Sequence, residues 1–491
     1  MLEFLRREYS KKQAFIICLT ACSFFMFPII YSNIYYIDDM SRAQTNYLGW
    51  AGLGRPMSDY IFILFSLSTN HSVDISPLPQ IISVILNATS VFLILNKGLK
   101  TRTISNILLC SIPLACPLYI QNMIYKYDSL SMASAVTMAI LAWYYLNDKF
   151  TRIIISGILL CMSMALYQAA VPIYFIMVLM SILTACIYNK VPFRYTISSI
   201  CSSVLGWGMY QFILFSFLKS DRGELIFSEN NWTEIFSKNF LSFWTLYKEV
   251  YGGVFFNLLI LIMSIGGVVI CVTVLLRKNN GTYADKAVSN LSFLIPFLSF
   301  FVSIAFIAIL KDAIIFPRVA LGFGFSIMLC IYAMTVYDKT DISKFIISAI
   351  LMFMSIVIAF AIMSACRNQY ELDKSRALEI KSIIDANPLY NQNNTTTIGV
   401  TSESVLASRV AEIYPLTKRI NARMNDWAAS LQLKYFGLRN VSFTFDRSKT
   451  MHEADKACNQ GISLYKGNDF SIYNFDNKNY VLLGDAWKKC I

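Results

Sequence analysis

Eleven apolar runs, each long enough to cross a membrane, determine what this chain can fold into. They lie near residues 14–31, 78–96, 103–120, 129–147, 152–168, 170–188, 196–218, 253–276, 289–310, 317–337 and 344–366. A membrane helix needs roughly 17 to 25 apolar residues, so the runs predict about eleven transmembrane helices. The first run is not expected to be a cleaved signal peptide, because it is long, lacks a small-residue cleavage site and is followed by Tyr35-Tyr36.

Charged residues are distributed unevenly along the chain. The 125 residues from Arg367 onward contain 30 charged residues, whereas the first 366 residues contain 42. Soluble domains are about 25% charged on average. We therefore predict an all-α polytopic membrane domain over residues 1–366, followed by a small soluble α+β domain over residues 367–491. This composition excludes an ordinary cytosolic enzyme, a disordered scaffold and a disulfide-rich miniprotein.

Basic residues predict the orientation in the membrane. Sixteen Lys and Arg residues lie in the N-terminal segment and in alternate short loops, whereas the opposite loops, although longer in total, contain nine. The positive-inside rule then places the N-terminus in the cytoplasm and, after eleven spans, the C-terminal domain outside. The net charge of +12 does not indicate nucleic-acid binding, because the sequence has no basic helix face and no Lys/Arg run longer than two.

Two long outer loops, 32–77 and 219–252, interrupt the pattern of spans. Residues 60–67 are apolar but too few to cross, so we predict that residues 40–75 form helices in or near the membrane interface. The aromatic residues of the second loop are typical of an amphipathic interfacial helix or of ordinary anchors at the headgroup level, and both interpretations stay open. These residues are Trp232, Phe236, Phe240, Phe243, Trp244 and Tyr247.

The C-terminal domain combines helix and strand signals. The sequence predicts a helix over residues 371–384, ended by Asn387-Pro388, and a strand over residues 441–445. Residues 391–397 are typical of a polar loop. Cys458 and Cys490 could pair outside the cytoplasm or stay free thiols.

Common catalytic motifs are absent from the sequence. It has two histidines, no HExxH, no Walker A loop, no GxGxxG and no CxxC. A His-rich metal site, ATP-driven transport and dinucleotide chemistry therefore lack support.

Four polar clusters fall on the predicted outer side of the membrane. They contain carboxylates that could serve as a base and cations that could bind an anionic group, at the height of the lipid headgroups. Any one of them could be a solvated loop, but four on one face favour a functional site. The clusters are Asp38-Asp39 with Arg42 and Arg55, Lys126 with Asp128, Tyr167-Gln168, and Pro317-Arg318.

Several of these segments resemble a known family in the same order along the chain. Residues 36–42 (YIDDMSR), Gly49-Trp50 and Gly54-Arg55-Pro56 resemble the first outer loop of the serotype-converting O-antigen glucosyltransferases, the Gtr family. Residues 125–130 (YKYDSL), 166–169 (LYQA) and 317–319 (PRV) resemble later landmarks of that family.

The resemblance implies a GT-C-type membrane glycosyltransferase of the bacterial inner membrane. Such enzymes are surrounded by membrane lipids. They take glucose from undecaprenyl-phosphate-glucose at the periplasmic face and add it to the O-antigen of lipopolysaccharide. The implied protein partners are a small flippase and a polyprenyl-phosphate glucosyltransferase.

The resemblance also places the catalytic base in the first outer loop, where we choose Asp39 narrowly over Asp38. Direct attack with a single base would invert the anomeric centre. We expect Arg318 to bind the donor phosphate, aided by Arg55 and Lys126, because a span that begins at Pro317 would point its N–H groups outward. Asp128, Tyr167 and Gln168 would hold the acceptor or orient the base.

No cofactor is expected, since Arg and Lys could stabilise a leaving group with a single phosphate. Whether a divalent metal is needed stays open. Three other kinds of protein also stay open: a flippase or transporter of lipid-linked oligosaccharides, an O-antigen polymerase or ligase, and a receptor with a soluble binding module. Transporters often show inverted repeats and ionisable groups at mid-membrane, neither of which this sequence displays clearly.

Overall fold

A computed structural model describes residues 2–188, 192–217, 225–276, 282–336, 341–443 and 446–484. The chain forms two compact units. The first comprises Met1–Tyr31 and Tyr47–Phe360, and the second comprises Ser32–Asn46 and Ala361–Ile491.

Helices make up most of the described chain. In chain order they are α1 (Leu2–Arg6), α2 (Lys11–Ser32), α3 (Asp39–Thr45), α4 (Pro56–Ser66), α5 (Leu78–Ile94), α6 (Ile104–Ser111), α7 (Ile120–Met123), α8 (Asp128–Tyr145), α9 (Phe150–Leu166), α10 (Val171–Ile187), α11 (Pro192–Phe217), α12 (Trp232–Tyr251), α13 (Gly253–Leu276), α14 (Tyr283–Leu291), α15 (Ile295–Ala308), α16 (Gly322–Thr335), α17 (Ile342–Asp385), α18 (Val405–Ile413), α19 (Thr417–Ile420), α20 (Asp426–Tyr435) and α21 (Arg447–Gln460). The strands are β1 (Asn394–Gly399), β2 (Val441–Ser442), β3 (Ile462–Lys466), β4 (Phe470–Phe475) and β5 (Lys478–Leu483).

The membrane-spanning character of the chain is carried by its long apolar helices. Each of the eleven predicted apolar runs coincides with a helical segment. Among the described residues, seven helices are long and apolar enough to cross a membrane, or eight if the bent pair Ile104–Ala115 and Pro117–Met123 is one span. Phe150–Leu166 and Gly322–Thr335 are shorter apolar helices. The predicted class, a mostly helical polytopic protein with a small C-terminal sheet region, is confirmed.

Close helix packing in the first unit depends on small residues. A Cβ atom on Gly206 of α11 would lie 2.8 Å from the backbone oxygen of Gly157 in α9. Glycine at both positions lets the two backbones approach, which is a common way for membrane helices to associate. α9 also packs against α8.

The aromatic residues of the second predicted outer loop lie on α12 and pack partly into the protein. The Tyr247 ring stacks on Phe323 with centroids 4.0 Å apart. Trp244 contacts Phe256 edge-on at 4.8 Å. This helix therefore uses its aromatic face to pack against α13 and α16.

The second unit contains a five-stranded mixed sheet in the order β2-β1-β5-β4-β3. β1 pairs in parallel with β2 and β5, while β4 pairs antiparallel with β3 and β5. Buried side chains of α17, including Ile380 and Ile384, share one core cluster with Ile472 and Val481 of the sheet. Ala454 and Ala457 of α21 share a second cluster with Ile398 and Tyr480.

Two expectations for the C-terminal part need correction or completion. The polar loop predicted over residues 391–397 is confirmed for residues 391–393 but wrong from residue 394, because residues 394–399 form β1, an interior strand of the sheet. Its threonines are β-branched, which suits a strand better than their polarity suggests. The helix predicted over residues 371–384 is the end of α17, and β2 covers the start of the predicted strand 441–445, of which residues 444 and 445 lie outside the described residues.

Cys458 takes part in a disulfide bond. Its predicted partner, Cys490, lies outside the described residues.

The residues that follow the first span belong to the second unit. The Tyr36 hydroxyl donates to the carbonyl of Ile420 at 2.8 Å. The Gln44 side-chain amide donates to the carbonyl of Leu431 at 2.6 Å. The predicted outer loop 32–77 is thus shared between units, with α3 in the second and α4 in the first.

Candidate functional site

A carboxylate at the start of α4 fixes the turn that leads to Arg55. Asp59 accepts hydrogen bonds from the backbone N–H groups of Gly49 at 2.8 Å, Trp50 at 3.0 Å and Ala51 at 2.7 Å. Three consecutive N–H groups bound by one carboxylate hold this turn in a single conformation.

Gly54, which directly precedes Arg55, is held from the opposite side. Its carbonyl accepts hydrogen bonds from the Gln168 side-chain amide and the Tyr210 hydroxyl, both at 2.9 Å. Its φ is +75°, a region that favours glycine. A Cβ atom here would lie 2.8 Å from Gln168 Nε2 and 2.9 Å from the Tyr210 hydroxyl, so a side chain does not fit without displacement.

The carboxylate of Asp128 is the centre of the arrangement. Asp128 begins α8, and its Oδ1 accepts the indole N–H of Trp50 at 2.8 Å. Arg55 Nη1 lies 3.7 Å from the same oxygen. Trp50 is itself fixed because its ring stacks on Phe62 at 4.6 Å. A buried carboxylate and a guanidinium therefore face each other across a short gap.

The ring of Tyr167 packs against the guanidinium of Arg55. The guanidinium carbon lies 4.5 Å from the centre of the Tyr167 ring, and Arg55 Nε is 3.4 Å from Gln168 Oε1. This face-on contact of the Tyr167 ring with the guanidinium is a cation–π interaction.

Arg318 joins this group through its backbone. The Arg318 carbonyl accepts from the Tyr167 hydroxyl at 3.0 Å and from the Asn122 amide at 2.9 Å. The Arg318 N–H donates to Gln121 Oε1 at 3.0 Å, and its side chain donates to the Tyr125 hydroxyl at 2.5 Å. Tyr167, which contacts the Arg55 guanidinium, therefore also binds the backbone of Arg318, while the Arg318 guanidinium is held by Tyr125.

One expectation about Arg318 is wrong. Residues 317–319 form a 3₁₀ turn, and the helix α16 begins only at Gly322. The N–H of Arg318 is already bound by Gln121. Arg318 can therefore contribute its side-chain charge, but it does not open a helix N-terminus.

The predicted site residues divide between the two units. Arg55, Asp128, Tyr167 and Gln168 are in direct contact, Arg318 is joined through Tyr167, and Lys126 is buried in the turn that precedes Asp128.

Asp38 and Asp39 lie in the second unit, at the start of α3. Asp39 is fully buried and its Oδ2 accepts the backbone N–H of Tyr36 at 3.1 Å, while Asp38 is partly exposed.

Sequence reasoning missed three positioning residues. Asp59 directly precedes the short apolar segment 60–67, and a lone carboxylate there was the available signal. Tyr210 lies within a span, and a hydroxyl in an apolar helix was the only hint. Trp50 was noted in a motif without a role, although it is fully buried with its indole N–H on Asp128.

The described residues contain no group of three or more His, Cys, Asp or Glu side chains placed to hold a metal ion. The donors that do converge are guanidinium, tyrosine hydroxyl, amide and carboxylate groups. Such a set suits an anionic, hydroxyl-rich ligand.

Comparison with known proteins identifies the family. Residues 27–329 match the family described as "Glucosyl transferase GtrII". The chain belongs to the GtrII glucosyltransferase family. The match includes every predicted site residue, from Asp38 to Arg318, whereas the sheet of the second unit lies beyond it.

A relative of this GtrII family member occurs in Salmonella phage P22. It is described as "Uncharacterized 55.3 kDa protein in gtrB 5'region" and is 28% identical over 471 residues, covering 91% of this chain and 93% of the relative. No solved structure matches the chain significantly.

Proposed function

We propose that this GtrII family member transfers a glucosyl residue from undecaprenyl-phosphate-glucose to the O-antigen of lipopolysaccharide, at the periplasmic face of the bacterial inner membrane. Family membership favours transfer over a flippase or transporter. The observation that carries the proposal is that Tyr167 joins two arginines beside the carboxylate of Asp128: its ring contacts the Arg55 guanidinium, and its hydroxyl binds the Arg318 carbonyl.

The two arginines suit the donor phosphate. At 3.7 Å, the Arg55–Asp128 distance exceeds that of a normal N–H···O hydrogen bond, so this guanidinium is not locked in a bidentate pair. When the bond from phosphate to the anomeric carbon breaks, the leaving phosphate gains negative charge. Fixed guanidinium donors stabilise that charge more in the transition state than in the ground state. Lys126 is proposed as a further positive charge near the phosphate.

The acceptor hydroxyl needs a base. In the proposed reaction the Asp39 carboxylate takes the hydroxyl proton, the acceptor oxygen attacks the anomeric carbon, and the phosphate leaves from the opposite side with its bonding electron pair. A β-linked donor would then give an α-linked product.

Asp39 is held by the Tyr36 N–H, which keeps its carboxylate in one orientation. Because Asp39 is fully buried, the acceptor can reach it only if the side chains that cover it move. Asp38 is proposed as a positioning residue, and Asp128, Tyr167 and Gln168 as residues that hold the acceptor or orient the base.

The fold supports the proposed topology. The end of α2 and the polar end of α17 belong to the same compact unit, so the first and last spans are expected to emerge on one side. With the N-terminus in the cytoplasm, that side is the periplasm. A small flippase and a polyprenyl-phosphate glucosyltransferase would supply the donor there.

The test is O-antigen glucosylation in cells that make the lipid-linked donor and express this chain or a variant. Asp39→Asn should lower transfer by about 10²-fold or more. Arg55→Lys and Arg318→Lys should each lower it about 10-fold or more, because Lys keeps the charge but loses bidentate binding.

Asp148→Asn and Arg194→Lys, at exposed positions, are matched controls that should leave transfer unchanged. Normal transfer in Asp38→Asn and Asp39→Asn would overturn the assignment of the base, and normal transfer in both arginine variants would overturn the phosphate site.

A further inference from the structure

In the second unit, one short segment is bound close to the points where two apolar spans, α2 and α17, end. α17 is apolar up to Cys366, and Gln369 follows three residues later, about 4.5 Å further along the helix. The Gln369 amide donates to the Ser402 carbonyl at 3.2 Å, and its Oε1 accepts the Ser404 N–H at 2.7 Å. Ser404 is the N-cap residue of α18.

The other end of this segment is tied to the first span. α2 ends at Ser32, and the Tyr36 hydroxyl, four residues later, binds the carbonyl of Ile420, the last residue of α19. Four residues reach at most about 14 Å. Residues 405–420, which we call the α18–α19 segment, are therefore attached at both ends to chain that has just left an apolar span.

The exposed face of α18 is unusual for a water-soluble surface. Val405 and Ile413 are 69% and 70% exposed, and Leu406 is also exposed, while Ala407 and Ala411 face the core. Positions 405, 406, 409 and 413 lie on one side of a helix with 3.6 residues per turn. The apolar side chains thus form a ridge, with exposed Arg409 among them.

Exposed basic residues lie within this ridge and follow it along the chain. Lys418 and Arg419 of α19 are exposed, and with Arg409 they outnumber the single acidic residue of the segment, Glu412. Apolar side chains flanked by Lys and Arg are the pattern of a helix that lies in a membrane interface. The positive charges would meet phospholipid phosphates.

We propose that the α18–α19 segment docks on the surface of the bilayer. Val405, Leu406 and Ile413 enter the boundary between headgroups and acyl chains, and Arg409, Lys418 and Arg419 face anionic headgroups. The occupant of this surface is the phospholipid bilayer into which α2 and α17 insert. The contact would restrict the motion of the second unit relative to the membrane, independently of any substrate.

The test uses the full chain in nanodiscs of phosphatidylethanolamine and phosphatidylglycerol with a trace of phosphatidylglycerol that carries a photoreactive group near the glycerol backbone. After illumination and proteolysis, mass spectrometry gives the fraction of each peptide that carries lipid. α21 is the internal control, because it belongs to the same unit and exposes Met451, while its other described exposed side chains are polar.

We expect lipid adducts on the α18 peptide and background labelling on α21. The double variant Val405→Ser with Ile413→Ser should lower labelling of α18 at least about fivefold, since each buried aliphatic side chain favours the apolar phase by more than that factor. Val405→Leu with Ile413→Leu keeps the ridge and should keep the labelling. Both pairs alter exposed positions, so thermal unfolding should match that of the parent chain.

Labelling of α18 no higher than that of α21, or unchanged labelling in the serine variant, would overturn the proposal. So would cross-linking of the ridge to another protein in cells together with background lipid labelling in nanodiscs, because the occupant would then be a protein.

Discussion

Gly54→Ala probes the turn that presents Arg55. Gly54 has a φ of +75°, and its carbonyl is bound by Gln168 and Tyr210. The new Cβ would stand 2.8 Å from Gln168 Nε2 and 2.9 Å from the Tyr210 hydroxyl, so either the turn or both side chains must move. Any such movement shifts Arg55 relative to Asp128 and Tyr167.

The size of the effect follows from two contributions. A residue other than glycine in the left-handed region costs about 1–2 kcal/mol. Weakening two hydrogen bonds to the Gly54 carbonyl costs about 0.5–1.5 kcal/mol each. The bound conformation of the turn is therefore disfavoured by about 2–5 kcal/mol. Even the lower value corresponds to about a 30-fold loss of glucosyl transfer, if the reaction requires this conformation.

Gly52→Ala is the matched control. Gly52 lies two residues earlier in the same turn, and a Cβ atom there has no neighbour within 4 Å. Initial rates of glucosyl transfer should be near normal for Gly52→Ala and reduced for Gly54→Ala, while both variants insert into the membrane in normal amounts. The double variant Gly54→Ala with Tyr210→Phe should lose less than the sum of the single losses, because one clash disappears.

Equal rates for Gly54→Ala and the parent chain would refute the reasoning that the turn positions Arg55. It would also be refuted if Gly52→Ala lowered the rate of transfer as much as Gly54→Ala does, because only the alanine at position 54 would clash with neighbouring atoms.

Three further predictions follow from the contacts. Trp50→Phe keeps a ring on Phe62 but removes the indole N–H that binds Asp128, so the rate of transfer should fall about tenfold or more. The control Trp207→Phe, at an exposed ring of α11, should leave the rate unchanged. Equal rates for the two variants would contradict this prediction. Partial burial alone would raise the pKa of Asp469, but hydrogen bonds from Ser402 and Arg376 together with the Arg376 charge lower it. This stabilisation is present above the unfolded pKa of about 4 and is lost as the pH falls through the lowered folded value. Asp469→Asn should therefore reduce hydrogen-exchange protection of β4 at pH 7 by less than about 1 kcal/mol, since the group is half-exposed, and the difference should vanish in acid; a difference that grows in acid would have the wrong sign. Reduction should shift the gel mobility of the parent chain, and Cys458→Ser should abolish that shift and lower the stability of the second unit by about 2–4 kcal/mol; identical mobility with and without reductant would contradict a disulfide.

Much of the fold could be predicted because one physical constraint dominates it. A long apolar run must form a helix in the membrane, and all eleven runs coincide with helical segments. β1 could not be found this way, because Thr395–Thr397 are polar by composition and their burial depends on neighbours that are distant in sequence. The start of α16 was misplaced because Pro317 is common both at helix starts and in 3₁₀ turns.

Only part of the candidate site could be predicted from the sequence. Residue types identified Arg55, Asp128, Tyr167 and Gln168, since charges at membrane boundaries are unusual unless they are used. Which groups they contact depends on how α4, α8 and α9 pack, and no local pattern encodes that. Asp59 and Tyr210 could not be predicted for a similar reason, because each binds backbone atoms of a turn whose conformation no sequence pattern reveals.

The most direct test of the central claim uses the purified chain in nanodiscs with undecaprenyl-phosphate-[¹³C]glucose and an O-antigen acceptor. The account predicts that labelled glucose appears on the acceptor with α configuration when the donor is β-linked, as read from the one-bond carbon–proton coupling at the anomeric carbon, and that Asp39→Asn abolishes the signal. Transfer with retained β configuration, or undiminished transfer in Asp39→Asn, would contradict the proposed base. The proposed glucosyltransferase activity would be contradicted if the pure, folded chain transferred no glucose and instead moved the donor lipid across the bilayer, as a flippase does.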